Sequence, residues 1–289
     1  MDYHYKFLSR ESMPDLYQTF IEAFSDYALD MSQLTEQSLY NRGLKNGIDF
    51  ESSVGVYANG KMIGFTMIGL DRWKNALAAF DVGTGIIKSH RGRGIAQEMF
   101  RVAVPELRAQ GVKKFVLEVL QENEPAIKAY QKTGFRITRE LDCFKLDLAK
   151  ARFKKDTTLP IEIRAIRQDQ LSPFEPFLDW HPSWENSFAS IKRIPDRVFL
   201  FAAVHQDRDA GLIAYYPALN WIMSIAVKHS YRRQGVGTSL LKHLVQQLDH
   251  KPASVKLLNV EHTDRSMIRF LNEVGFELYT RQFEMEFDI

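Results

Sequence analysis

The residues best placed to do chemistry in this sequence form one short run, Arg91-Gly92-Arg93-Gly94-Ile95-Ala96. An apolar stretch, Gly85-Ile86-Ile87, and then Lys88 precede it, and a helical run begins at Gln97. Strand, tight basic glycine turn, helix is an arrangement that binds a pyrophosphate. The first N–H groups of a helix have no intrahelical acceptor, and the helix dipole leaves partial positive charge there. Glycine lets the backbone approach phosphate oxygens, and successive N–H groups can form an anion-binding nest. Arg91 and Arg93 add full charge and planar donors, with Lys88 alongside. Ala96 is small enough to leave a ligand room.

A single turn of this kind is equally compatible with an ordinary strand-to-helix loop. Here the pattern occurs twice. Arg232-Arg233-Gln234-Gly235-Val236-Gly237 follows Ser224-Ile225-Ala226-Val227 and leads through Thr238 into Leu240-Leu241. The two runs lie 141 residues apart, and Gly134-Phe135 recurs at the same offset as Gly275-Phe276. A period this long implies two similar domains, not a solenoid. A dinucleotide turn would need Gly or Ala where Gln97 and Leu240 stand. A P-loop would need Gly-Lys-Ser/Thr, which follows neither turn.

Arg-x-x-Gly-x-Gly/Ala after a strand, then helix, strand and Asn-x-x-Ala-x-x-x-Tyr-x-x-x-Gly-Phe, resembles the GNAT N-acetyltransferase family. The matching residues are Arg91, Gly94, Ala96, Asn123, Ala126, Tyr130, Gly134 and Phe135. The resemblance covers the second half of each repeat closely and the first half only in layout. It implies an α+β fold of two GNAT-like domains in tandem, over 1–150 and 158–289, each a mixed, mostly antiparallel sheet flanked by helices. It implies acetyl-CoA (coenzyme A) as cofactor. In the first repeat Ile86, Ile87, Lys88, Arg91, Gly92, Arg93, Gly94, Ile95, Ala96, Asn123 and Ala126 would hold it. In the second, Ala226, Val227, Arg232, Arg233, Gln234, Gly235, Val236, Gly237 and Thr238 would do so.

Transfer from a thioester to an amine makes few demands. An ammonium of pKa about 10.4 must lose its proton, and a thiolate whose thiol has pKa about 8.5 leaves better when protonated. The carbonyl oxygen needs a hydrogen-bond donor. Much of the rate can come from holding the partners together. By the resemblance, Tyr130 is the acid. It lies two helical turns from Asn123, on one face. The second repeat has Asp264 and Leu271 at those positions, and leucine cannot donate a proton. The first domain is therefore expected to catalyse, with the second binding cofactor or supporting the pair. The base stays open between Asp81, Glu118 and a water relay.

The expected function is direct acetyl transfer to a primary amine, small-molecule or peptide, of unspecified identity. The alternatives are a non-catalytic acetyl-CoA sensor or scaffold, or transfer to a hydroxyl. Trp180, His181 and Trp184, like Asp26 and Tyr27, fall on the acceptor side; each reads equally as pocket or as packing.

The remaining features set bounds. The chain has 289 residues, 45% hydrophobic, with a net charge of +2, so no electrostatic case for nucleic acid or membrane exists. Cys143 is the single cysteine, which excludes an intrachain disulfide and a cysteine-based zinc cluster. The first residues lack an apolar signal core, and no run approaches a membrane span. A cytoplasmic protein is expected, with oligomeric state open.

Strands are expected over 5–9, 54–58, 62–70, 76–87, 114–120 and 135–148. Helices are expected over 14–24, 95–108, with a kink at Pro105, and 124–133. Asn59-Gly60 marks a hairpin. Residues 150–158 read as a charged linker. The second repeat should follow with strands over 161–167, 197–204, 211–217, 221–227, 254–260 and 276–287. Its helices should cover 238–248 and 265–274, after a proline-interrupted helical region to 194.

Overall fold

A computed structural model of the chain describes residues 2–26, 34–153, 157–248 and 252–289. Tyr27 and the linker residues Lys154, Lys155 and Asp156 lie outside the described residues. The chain divides into two compact units, Met1–Thr138 with Phe283–Ile289, and Arg139–Gln282.

The first unit begins with β1 (His4–Phe7), α1 (Met13–Ala23) and α2 (Glu36–Lys45). Pro14 sits in the first turn of α1, where its missing N–H costs nothing. Leu16 and Phe20 bury the inner face. The sequence reading missed α2; its mean polarity hides a helix whose start is fixed by a Thr35–Ser38 capping box. Next come β2 (Val54–Ala58), β3 (Lys61–Trp73) and β4 (Ala76–Ile86). The expected hairpin at Asn59-Gly60 forms, both residues taking positive φ, 51° and 79°. Then follow α3 (Ile95–Ala109), β5 (Lys114–Leu120) and α4 (Glu124–Thr133). Ile95, Met99, Ala103 and Leu107 are the buried face of α3, which runs on through Pro105. Gly134, at φ 110°, stops α4.

β1 to β4 pair antiparallel in order, and β5 joins β4 in parallel. Two irregularities shape β4. Its register against β3 slips at Val82, and its pairing with β5 covers only Ala78 to Phe80. Beyond Phe80 the two strands lose their ladder, so the C-terminal half of β4 faces a gap. A bulge beside a site bends a strand in this way.

β6 (Arg136–Asp147) is one strand, where closing strands were expected, and it pairs with β11 (Ser254–Glu261) in the second unit. That unit continues with β7 (Glu162–Ala165), α5 (Phe188–Lys192), β8 (Phe199–His205), β9 (Arg208–Tyr216) and β10 (Trp221–Val227). α6 (Val236–Gln246), β11 (Ser254–Glu261), α7 (Arg265–Val274) and β12 (Glu277–Asp288) complete the chain. Between 168 and 194 the expected helical region is a series of 3₁₀ turns with α5, because Pro173, Pro176 and Pro182 remove backbone donors. Alternate residues of β9 bury opposite faces: Ile213 and Tyr215 join one apolar cluster, Leu212, Ala214 and Tyr216 another.

The boundaries differ from those expected at 150 and 158. Strand pairing decides the difference. Residues 141–147 pair with β11 and so belong to the second unit. The last residues belong to the first: Ile289 donates its N–H to the Lys113 carbonyl, and Glu286 accepts from Lys74 and Lys114 at 2.7 and 2.6 Å.

Candidate functional site

Both glycine turns have the geometry that the sequence suggests. In the first unit Gly92 and Gly94 each take φ 76°, and α3 starts at Ile95. In the second, Arg233 and Gly235 take φ 63° and 89°, and α6 starts at Val236. The starting helix leaves its first N–H groups, Ile95 and Ala96 or Val236 and Gly237, without an acceptor inside the helix. A Cβ built on Gly92 meets nothing within 4 Å, so the turn borders open space.

The arginines that open the two turns need correction. The sequence assigns Arg91 to phosphates and Arg232 to cofactor binding. Instead their guanidinium groups are bound by protein. Arg91 donates Nε to the Ile86 carbonyl at 3.0 Å, Nη2 to the Ala23 carbonyl at 2.6 Å, and forks onto Asp26 at 2.9 and 2.8 Å. Arg232 repeats this on the Val227 carbonyl at 2.8 Å, the Phe177 carbonyl at 3.2 Å and Asp179 at 3.0 Å. Arg91 ties the end of β4 to the end of α1, and Arg232 ties the end of β10 to Phe177 and Asp179. The fork holds the Asp26 carboxyl below its usual range. Arg93 donates to the Tyr3 hydroxyl and the Ser89 carbonyl, and Lys88 lies 3.6 Å from Asp26 with its side chain exposed.

Asn123 has a partner within its own helix. Its side chain accepts from the Ala126 N–H at 3.3 Å and caps α4. Asp264 caps α7 in the same manner. Ile87 is buried and donates to the Ile63 carbonyl. The Gln234 carbonyl accepts from the Thr158 N–H.

Tyr130 sits on α4 against Phe100 and Phe135 and donates its hydroxyl to Asp81 Oδ2 at 3.0 Å. Asp81, on β4 next to the bulge, is 7% exposed. Thr84 Oγ1 lies 3.0 Å from both Asp81 oxygens and 2.8 Å from Thr66 Oγ1. Burial pushes the Asp81 carboxyl up to about 6, against the opposing hydrogen bonds from Thr84 and Tyr130 and the charge of Arg42. Of the two carboxylates considered as bases, Asp81 is bonded directly to Tyr130. Nothing in the sequence spacing tied Asp81, 49 residues away, to Tyr130.

The second unit contains a cavity of about 390 Å³ beside its turn. Ala226, Val227, Arg232, Arg233, Gly235, Val236, Gly237 and Thr238 line it, with Phe177, Trp180 and Met223 further along. Trp184 is buried, and His181 is exposed with Nδ1 2.9 Å from the Pro182 carbonyl. Among the described residues no cluster of His, Cys, Asp and Glu could hold a metal, and no helix is long and apolar enough to cross a membrane.

The model of the acetyltransferase (GNAT) family matches residues 13–135 and 163–276. Streptothricin acetyltransferase of Streptomyces lavendulae is 34% identical over 87 residues, which is 30% of this chain and 45% of that protein. Spermine/spermidine N(1)-acetyltransferase of Bacillus subtilis is 30% identical over 95 residues, 31% of this chain and 62% of that protein. The chain thus spans less than two thirds of the length of these curated relatives. Its fold is similar to that of a tandem GNAT protein from the clavulanic acid biosynthesis pathway, with a TM-score of 0.74 at 14% identity, covering 99% of this chain and 98% of that one.

Proposed function

The chain belongs to the acetyltransferase (GNAT) family, and we propose that its first unit transfers the acetyl group of acetyl-CoA to a primary amine in a ternary complex. One observation carries this reading. The Tyr130 hydroxyl and the buried Asp81 carboxyl meet at 3.0 Å where β4 parts from β5, in the unit that also has an intact turn.

The division of labour follows from the residues. The N–H groups of the turn, from Gly92 to Ala96, take the pyrophosphate, with Arg93 and Lys88 adding charge. Arg91 and Asp26 hold the acceptor-side segment against the strand end. The β5-side edge of β4 beyond Phe80, where the ladder to β5 has ended, is available to the pantetheine arm. Tyr130 protonates the leaving sulfur. In the second unit Leu271 stands in place of Tyr130, so we assign its cavity to cofactor binding without turnover.

The test is a thiol-release assay with acetyl-CoA against polyamines, aminoglycosides, amino acids and peptides. Release that depends on an amine supports the reading. Release with hydroxyl acceptors alone would replace it with O-acetylation. Acetyl-CoA binding with no release for any acceptor would leave a sensor.

A further inference from the structure

A phenol is a poor acid for the task given to Tyr130. With pKa about 10 against about 8.5 for the thiol, the proton transfer is unfavourable by about 30-fold. It would also leave a tyrosinate beside a carboxylate at 3.0 Å. Like charges that close, away from water, cannot both persist.

We infer that Asp81 is the proton source behind Tyr130: as Tyr130 Oη gives its proton to the departing sulfur, the Asp81 carboxyl gives its own to Tyr130 Oη. This rests on the assignment of acetyl transfer to the first unit. The Tyr130 O–H and Asp81 O–H bonds break. An S–H bond and a new Tyr130 O–H bond form, and the negative charge of the thiolate ends on Asp81. The proton that the attacking nitrogen loses on becoming an amide restores the Asp81 O–H. One proton passes from nitrogen to sulfur per turnover, and no outside acid is consumed. Asp81 acts through Tyr130 and is a positioning residue; Tyr130 is the group that meets the substrate.

Four observations support the relay. The Tyr130–Asp81 contact is direct and needs no bridging water; Tyr130 donates across it to the ionised carboxylate, and the protonated carboxyl donates across it to Tyr130 Oη. Both Asp81 oxygens also have Thr84 Oγ1 at 3.0 Å, and Thr84 is itself 2.8 Å from Thr66 Oγ1. These hydroxyls hold the carboxyl in one orientation in either protonation state, since each can donate or accept. Of the elements packed around Asp81, α2 presents Arg42, α4 presents Tyr130 and β5 carries Glu118. Burial outweighs the Arg42 charge, which makes the protonated carboxyl reachable near neutral pH. Finally, the second unit loses the set as a whole. At an offset of 141 residues, Asp81, Thr84 and Tyr130 become Ile222, Ile225 and Leu271. The strand partner Thr66 becomes Ile213. A tyrosine needing no helper would not require the other three to be lost with it.

The experiment is a proton inventory under single-turnover conditions in H₂O–D₂O mixtures, with an amine that the wild type acetylates. Two protons in flight give a bowed plot for the wild type. Asp81→Asn, which keeps shape and burial, should slow the step at least tenfold, give a straight plot and remove the limb of the pH profile near 6. Thr84→Val should move that limb while leaving KM nearly constant. A straight plot for the wild type would overturn the relay, as would an Asp81→Asn protein with the wild-type rate and pH profile. If Tyr130→Phe is as fast as the wild type, the fault lies instead in the assignment of the acid, and the relay goes with it.

Discussion

The two units share their turn and differ in what lies across from it. Arg91 and Arg232 make the same bonds to a strand carbonyl, an acceptor-side carbonyl and an aspartate. β4 and β10 carry register slips at Val82 and Met223, equivalent positions. Gly134 and Gly275 end their helices at φ 110° and 107°. By contrast the positions of Asp81, Thr84, Thr66 and Tyr130 are taken in the second unit by Ile222, Ile225, Ile213 and Leu271, all members of one apolar cluster. The features common to both units thus reside in backbone and one structural arginine. The proton chemistry we propose resides in four side chains that can be exchanged together. A buried polar network is best complete or absent, because a half-satisfied one leaves unpaired groups.

The largest effect that would break this contrast is in Tyr130→Phe. The ring keeps its contacts with Phe100 and Phe135, and only the hydroxyl is lost. We expect kcat to fall by about 10²–10⁴-fold with acetyl-CoA affinity nearly constant, since the hydroxyl acts in the transition state. The mirror change, Leu271→Tyr, puts a hydroxyl at a fully buried site among apolar residues. It should destabilise the second unit by about 1–3 kcal/mol and create no turnover. Steady-state kinetics and denaturant unfolding decide both. Turnover surviving Tyr130→Phe would erase the difference between the units.

Next in size is a pH effect confined to the first unit. Asp81 titrates at about 6 when folded, against about 3.9 unfolded. Between those values the folded chain binds more protons than the unfolded one, so stability falls as pH rises. The stability present below pH about 4 is lost by pH about 6, to the extent of about 3 kcal/mol for a shift of about two units. Asp81→Asn removes this dependence. The stability difference between wild type and variant should therefore move by about 3 kcal/mol in favour of Asn from pH 4 to 7. A flat difference would mean that the carboxyl is ionised as easily folded as unfolded.

Much of this was legible from residue order, and the reasons are local. β5, α4, β10 and α7 fall on their expected residues because each has a strong period bounded by Gly, Asn or Asp. The paired turns were visible because glycine and arginine recur at one offset. What escaped is set by tertiary contact. α2 lacks a strong apolar stripe. Arg91 looked free because its acceptors, Ala23 and Asp26, are more than sixty residues away. Asp81 was one of several carboxylates until the bulge at Val82 and the course of α4 brought it to Tyr130. The unit boundaries depended on which strand β6 pairs with, which no local pattern encodes.

A smaller effect concerns the helix that follows each turn. Ala96 corresponds to Gly237, and Ala129 to Phe270. A Cβ on Gly237 would meet the Phe270 ring at 3.2 Å, tighter than ordinary contact. The first unit keeps the methyl and lacks the ring; the second has the ring and lacks the methyl. In a double-mutant cycle, Gly237→Ala should cost about 0.5–1.5 kcal/mol more with Phe270 present than in a Phe270→Ala background. Zero coupling would mean that the ring moves aside freely.

The smallest effect tests whether the turns are equivalent in backbone strain. Gly92 and Arg233 occupy the same position, and both take positive φ, 76° and 63°. A residue with a Cβ in this region is strained by about 1–2 kcal/mol, while glycine costs about 0.5–1 kcal/mol in lost chain freedom. Gly92→Ala should therefore destabilise the first unit by about 1 kcal/mol. Because the new Cβ meets no protein atom within 4 Å, no steric contact within the protein adds to this. Arg233→Gly relieves the strain in the second unit, and the added freedom and the lost side-chain contacts offset part of the gain. The net change should be below about 1 kcal/mol and opposite in sign to that of Gly92→Ala. Urea unfolding of the two variants measures both. Equal destabilisation by the two changes would show that the Arg233 side chain contributes more to the second turn than its backbone strain takes away, and would end the equivalence of the two positions.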